Sequence, residues 1–384
     1  MSTNVPLALY VHLPWCVAKC PYCDFVSHAV PREGLPERQY LDALADDLEF
    51  AAQPAHGREV ISVFFGGGTP SLFAAESIER ILAHARALLP FAADAEVTLE
   101  ANPGTVEHAR FQEYRAAGVN RISLGAQTFD DRRLAALGRI HSARETYLAV
   151  DELHAAGIEN FNLDLMYALP GQDTQGALDD VQRAVELGPS HISHYQLTLE
   201  PGTAFSHRPP PLPSDDTGFE MQLECQDQLA AAGYAQYEVS AYARSGTRCR
   251  HNLNYWSFGD YVGVGVGAHG KLTDLRSGEI VRTARVKSPA RYLAATTRAD
   301  RVAEVRTIPA NERVFEFCLN ALRLVDGFEW STFEGRTGLS REAVDATFER
   351  CARDGLLEPA AHGGWRPSDL GLRYLNDLQA RFLD

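Results

Sequence analysis

Through the first half of the chain, apolar runs of strand length alternate with amphipathic stretches of helix length. Strand-like runs cover residues 7–13, 60–65, 96–100, 121–124, 161–165 and 191–197. Between them the spacing predicts helices over 37–50, 76–89, 106–117, 143–156 and 175–187. Gly118 and Gly157 follow two of these helices as stop signals. Such alternation predicts βα units around a parallel sheet. No G-x-G-x-x-G follows the first strand, so a dinucleotide-binding fold is disfavoured. The expected fold class is α/β: a partial (β/α)6 TIM-like barrel with a mainly helical C-terminal domain.

The pattern changes at Pro209-Pro210-Pro211-Leu212-Pro213, which reads as an exposed linker. A helix over 218–232 and a Gly-rich segment over 259–270 follow. The tail from Pro289 is mostly helical, and 339–357 followed by Gly364-Trp365-Arg366 suggests helices with a short wing. The expected division is a barrel at 1–210, a barrel-completing linker region at 211–288 and a wing-like helical domain at 289–384. No internal repeat is visible.

Composition narrows the class. Hydrophobic residues make up 45%, and the net charge of −15 comes from 36 basic and 51 acidic residues. A chain this acidic is a poor non-specific ligand for nucleic acid. In the wing-like tail Arg341, Arg350 and Arg353 are offset by Glu342, Asp345, Glu349 and Asp354, so no basic stripe forms and no nucleic-acid partner is expected. Residues 1–13 do not read as a signal peptide, and charges interrupt every apolar run too early for a membrane span. Seven cysteines, three of them within eight residues, do not form a disulfide framework. Clustered thiols point to metal and to a reducing cytoplasm.

In barrels of this kind chemistry sits at the C-terminal ends of strands. Cys16 follows the first strand, Gly66-Gly67-Gly68-Thr69-Pro70 the second, Glu100 ends the third, Gln127 follows the fourth, and Asp164 lies late in the fifth. Gly67, Gly68 and Thr69 read either as a loop with open backbone groups or as a tight turn. Glu100 reads as an acceptor for a ribose or amine, or as a solvated carboxylate. Gln127, Arg139 and Asp164 read as site groups or as ordinary surface polarity. Tyr10 stacks on a ring or packs in the barrel.

Three thiolates on the loop Cys16-Val-Ala-Lys-Cys20-Pro-Tyr-Cys23 can grip three irons of a cubane and leave the fourth open. The competing reading is zinc, which wants four closed ligands; only His12, Asp24 and His28 lie near enough in sequence to add one. The Cys-x3-Cys-x2-Cys spacing, with Tyr22 and Phe25 beside it, resembles the radical S-adenosylmethionine superfamily. The resemblance implies a [4Fe–4S] cluster on Cys16, Cys20 and Cys23, with S-adenosylmethionine chelating the open iron. By position it implies Tyr10, Gly67, Gly68, Thr69, Glu100, Gln127, Arg139 and Asp164 as S-adenosylmethionine contacts.

The ordered blocks Tyr10-Val-His12-Leu-Pro-Trp-Cys16, Glu100-Ala-Asn102-Pro103, Arg121-Ile-Ser-Leu-Gly-Ala-Gln127 and Asn162-Leu-Asp164 resemble the oxygen-independent coproporphyrinogen III oxidase branch over the whole chain. Two departures argue against decarboxylation. Phe25 stands where the oxidase has a fourth cysteine, and the oxidase's long segment ahead of the motif has no counterpart. Trp15 to Phe25, with His251-Asn252-Leu253-Asn254-Tyr255 further on, is instead similar to the HemW-type heme chaperones. That resemblance implies heme as a bound group, with His251 and Tyr255 as candidate ligands; the residues alone also fit an Asn-rich turn with a hydrogen-bonded His. Ser240-Ala241-Tyr242 departs from the Ser-Asn-Phe expected of the family. The implied partners are membrane respiratory hemoproteins and a second copy of the chain, and the implied place is the cytoplasm or the membrane's surface.

Overall fold

The computed structural model describes residues 5–105, 110–361 and 363–383. Residues 1–4, at the start of the chain, and the first four residues of the helix expected over 106–117 lie outside them.

One mixed sheet runs through the molecule. Its strands are β1 (Leu7–Leu13), β2 (Val60–Gly67), β3 (Phe91–Ala101), β4 (Arg121–Gln127), β5 (Phe161–Tyr167), β6 (His191–Gln196), β7 (Ala235–Glu238), β8 (Ala241–Ala243), β9 (Asp260–Val264), β10 (His269–Thr273), β11 (Ile280–Arg285) and β12 (Val302–Ile308). Across the sheet the order is β12-β11-β10-β9-β1-β2-β3-β4-β5-β6-β8-β7. β1 to β6 run parallel and form the expected six βα units, with β9 parallel to β1 on the other side. The outer strands β8, β7, β10, β11 and β12 join antiparallel.

The parallel strands form because their side chains are buried on both faces. All seven residues of β4 are buried, and in β1 only Tyr10 is partly open. The helices Glu37–Ala52, Ala75–Leu88, Ala143–Ala155 and Thr174–Glu186 cover the outside. Ser142 and Glu145 close a reciprocal capping box on the third of these. The large core runs from Leu7 to Tyr292, and a second, aromatic core of Phe317, Phe328, Phe333 and Phe348 belongs to the C-terminal part. There the strands Leu357–Pro359 and Trp365–Pro367 make the short wing.

The Gly-rich segment is two strands and their connection. The turn from β9 to β10 passes so close to β1 that a Cβ on Gly265 would stand 2.4 Å from the carbonyl oxygen of His12 and 2.7 Å from the hydroxyl of Tyr40. Glycine there lets two backbones touch behind the strand that carries Tyr10 and leads to Cys16.

Candidate cluster site and its cavities

All parallel strands end on one rim, so the residues at their C-terminal ends converge. The loop carrying Cys16, Cys20 and Cys23 is pinned at its root. Trp15–Cys16 pairs with His28–Ala29, and the N–H of Val30 donates to the carbonyl of Cys16 at 2.9 Å. The N–H of Cys23 donates to the carbonyl of Cys20 at 3.2 Å, turning the chain so that its thiols share one loop. Lys19 Nζ donates to the carbonyl of Phe25 at 2.9 Å and braces the far arm.

All three thiols are half-buried and outside any disulfide. Burial pushes the Cys16 and Cys23 thiols up, against hydrogen bonds from Thr69 and Ser27 to Cys16 and from the Phe25 backbone and Ser27 to Cys23. Among the described residues no three His, Cys, Asp or Glu side chains gather closely enough to hold one metal ion. Thiolates that each bind a different iron of a cubane need not converge on one point. Arg139 Nη1 lies 3.8 Å from Cys20 Sγ, and Nη2 donates to the carbonyl of Gly125 at 2.8 Å. A buried cation beside the loop suits a ligand set that becomes anionic when metallated.

His12 organises the base of the loop. Its Nε2 lies 2.8 Å from the carbonyl of Val26 and must donate to it. Its Nδ1 therefore accepts from the Tyr10 hydroxyl, 3.0 Å away. Burial lowers its pKa to about 4, which keeps the ring neutral in this arrangement. The same ring explains Gly67. That residue has φ +108°, and a Cβ on it would stand 2.4 Å from His12 Cε1.

The glycine loop is not a row of open donors. Gly67 N–H donates to Glu100 Oε2 at 3.2 Å, Gly68 N–H to the carbonyl of Leu13 at 2.8 Å, and Thr69 N–H to the carbonyl of Trp15 at 2.7 Å. This corrects the expectation that the glycines leave their donors exposed. The donors knit β2 to the root of the cysteine loop and to Glu100, so these N–H groups are already spent.

Behind the loop is a cavity of about 220 Å³. Tyr10, Glu100, Asp164, His251 and Tyr255 line it, as does Arg121. Burial, then Asp164, raises the Glu100 carboxyl to about 8. Asp164 accepts from Asn162 at 2.8 Å and Ser123 at 3.2 Å, and burial raises its carboxyl too. Gln127 joins through Tyr195, whose hydroxyl donates to Gln127 Oε1 at 2.8 Å. Its φ of +66° is a left-handed conformation at a break in the β4–β5 register. Strain of this kind collects at functional sites.

His251 enters on the short helix Arg250–Trp256 and is buried. Its Nδ1 lies 3.0 Å from Ser62 Oγ and its Nε2 2.9 Å from Tyr255 Oη. Both ring nitrogens are thus taken, and burial lowers its pKa to about 3.

Comparison with known proteins shows the family. Residues 10–184 match the radical SAM superfamily and residues 308–374 match the HemN C-terminal domain. The structure of coproporphyrinogen III oxidase from Escherichia coli superposes with a TM-score of 0.81 at 22% identity, covering 99% of this chain and 90% of that one. The heme chaperone HemW of Haemophilus influenzae is 46% identical over 98% of both chains, and that of Escherichia coli 45% over 98% of both. The chain belongs to the HemW heme chaperone family.

Within that family fold, an α/β radical SAM barrel, the candidate residues do not all serve alike. Tyr10, Glu100, Asp164, His251 and Tyr255 share a cavity wall. Gly67, Gly68 and Thr69 tie strands together, and Arg139 touches the cysteine loop directly. Arg121, which shares the cavity with Glu100 and Asp164, stands in the sequence only as the head of a motif block, and His12 only as a block member and a spare zinc ligand. The i, i+2 spacing of Tyr10 and His12 along a strand was the available signal, since it puts both on one face.

Proposed function

We propose that this protein is a heme chaperone: it carries a [4Fe–4S] cluster on Cys16, Cys20 and Cys23, completes it with S-adenosylmethionine, and delivers heme to respiratory hemoproteins at the membrane. The observation that carries the reading is the 46% identity, over 98% of both chains, to a heme chaperone. The site supports it. Three half-buried thiols on one pinned loop fit a cubane with an open iron. Together, cluster and S-adenosylmethionine supply one-electron chemistry when bound.

The chain's own groups do the positioning. Tyr10, Glu100 and Asp164 meet the nucleoside and amino-acid parts of S-adenosylmethionine, Gln127 and Arg139 flank them, and Gly67, Gly68 and Thr69 hold the rim. Tyr255 stands on the heme side, with His251 behind it at 2.9 Å. We further propose the division into 1–210, 211–288 and 289–384; the separate aromatic core around Phe317, Phe333 and Phe348 supports a distinct C-terminal part. A homodimer and a peripheral position at the membrane belong to the same reading; among the described residues no helix is long and apolar enough to cross a membrane.

The test sets heme retention against porphyrinogen turnover. Anaerobically reconstituted protein should hold about four irons per chain, retain heme on gel filtration and leave coproporphyrinogen III unchanged. Decarboxylation of coproporphyrinogen III without heme retention would overturn the proposal.

A further inference from the structure

The small cavity is not the only opening at this rim. Tyr10 and Tyr255 also line a wider pocket of about 480 Å³ that reaches along the arm following Cys23. That volume falls in the range of small-molecule and cofactor sites, about 300–1,000 Å³. Its walls are aromatic: Tyr255, Trp256, Phe258 and Tyr261, with Phe25 beside them. Phe25 is 63% exposed. It sets a flat apolar ring on the lip of the pocket.

The polar groups of the pocket divide sharply. Lys271 is spent on Asp260 at 2.8 Å and on the carbonyls of Phe258 and Gly259. Arg282 is held by Glu316 and the Tyr261 hydroxyl. Three ionisable side chains of the lining, Asp24, His269 and Lys287, are left uncommitted among the described residues. His269, exposed at the start of β10, has no hydrogen-bond partner for its ring among the described residues. The Lys287 ammonium, also exposed, has no ion-pair or hydrogen-bond partner among them. The backbone of Lys287 is nonetheless fixed to the cysteine-loop region, because His28 Nε2 donates to its carbonyl at 3.1 Å. Trp256 adds a buried indole N–H without a partner among the described residues.

An unpartnered imidazole, a free ammonium and aromatic walls together match a flat metallo-macrocycle with carboxylate arms. Imidazole supplies a lone pair to iron, the ammonium and indole N–H meet carboxylate, and the rings cover the apolar face. His251 is poorly placed to do the same, since ligating iron would require it to give up Ser62 or Tyr255.

We infer that this pocket is the heme seat, that His269 ligates the iron, and that Lys287 takes a propionate. The inference rests on the heme-chaperone reading and names its iron ligand. Coordination here is donation of an imidazole lone pair to iron, with no change of oxidation state.

The test is a titration of ferric heme into the full chain, with and without the reconstituted cluster, followed by the Soret band and electron paramagnetic resonance. His269→Ala should weaken heme binding by about tenfold or more and abolish the wild-type ligation signature. His269→Met should bind again with a different signature. Lys287→Glu should weaken binding and leave the signature intact. The exposed position of His269 predicts unchanged melting temperature and iron content in these variants. Unaltered affinity and signature in His269→Ala would overturn the assignment, as would loss of the signature in His251→Ala while His269→Ala keeps it. Failure of the wild-type chain to bind heme would instead overturn the chaperone reading itself.

Discussion

Glu100 shows how much a single buried group shapes this site. It accepts one backbone N–H, from Gly67, and faces Asp164 across a cavity that holds Arg121. Burial raises its pKa from 4.5 to about 8, so the folded chain holds the proton more tightly than the unfolded one. The stability this gives is fully present below pH 4.5 and is lost as pH rises through about 8. Glu100→Gln keeps the acceptor for Gly67 and removes the titration. In ligand-free protein the variant should therefore gain on the wild type between pH 5.5 and 8.5, by on the order of 2–4 kcal/mol. Thermal melts at the two values check this; parallel pH dependence in the two proteins would refute it. Above about pH 8, where the wild-type side chain is a carboxylate, S-adenosylmethionine should bind the variant more weakly, because the amide is a poorer acceptor for an amine. At this scale the strand-end residues and the cysteine loop were legible from their order along the chain. His12 and Arg121 were not, because a polar side chain on a fully buried strand announces itself only once its partners, here Val26 and Asp164, are brought to it from elsewhere.

At the scale of elements, legibility followed burial. β1 and β2 are covered at most positions and read as apolar runs, whereas in β3 to β6 buried polar residues such as Glu96, Ser123, Asn162 and His194 interrupt shorter apolar stretches. The antiparallel strands show no such runs. β12, Val302–Ile308, is mostly exposed, and β7 and β8 are four and three residues long. Their apolar positions are too few to set a period, and the pairings that create them are tertiary. The helix Arg250–Trp256 is equally silent in the sequence, and the structure shows why it forms. Glu96, in the middle of β3, accepts from the N–H of Arg250 and the N–H of His251, each at 3.1 Å, and from the Cys249 thiol at 3.6 Å. A strand residue thus caps a helix more than 150 positions later and orients the His251 ring toward the cavity. Glu96→Ala should leave those donors unpaired in a buried place and cost about 2–4 kcal/mol. The measurement is urea denaturation, with the Ser62–His251 contact followed by the His251 ring resonances. An unchanged midpoint would show that the cap is dispensable.

The whole molecule depends on how the segment after residue 260 is fastened to the back of the barrel, and Asp47 does much of that. It lies in the first helix, fully buried. Its carboxylate accepts from Arg285 Nε at 2.8 Å, from the Tyr292 hydroxyl at 2.9 Å and from the Gly265 N–H at 3.0 Å. One side chain therefore ties the β9–β10 turn, β11 and the helix Pro289–Leu293 to the barrel. The tie reaches the candidate cluster through two rings. Tyr40, whose ring centre is 5.6 Å from that of Tyr292, donates its hydroxyl to the carbonyl of His12 at 2.6 Å. Trp15, beside Cys16, packs edge-on against Tyr40 with centroids 4.8 Å apart. Asp47→Ala strands the buried Arg285 guanidinium, and breaking a buried pair from one side costs about 3–5 kcal/mol. Asp47→Asn retains acceptors for Gly265 and Tyr292 and should cost less. If the fastening holds the cysteine loop in place, the alanine variant should also reconstitute with fewer irons per chain than the asparagine variant at equal folded fraction. Two variants that differ in stability but bind iron equally would separate the fastening from the cluster site and confine Asp47 to holding the molecule together.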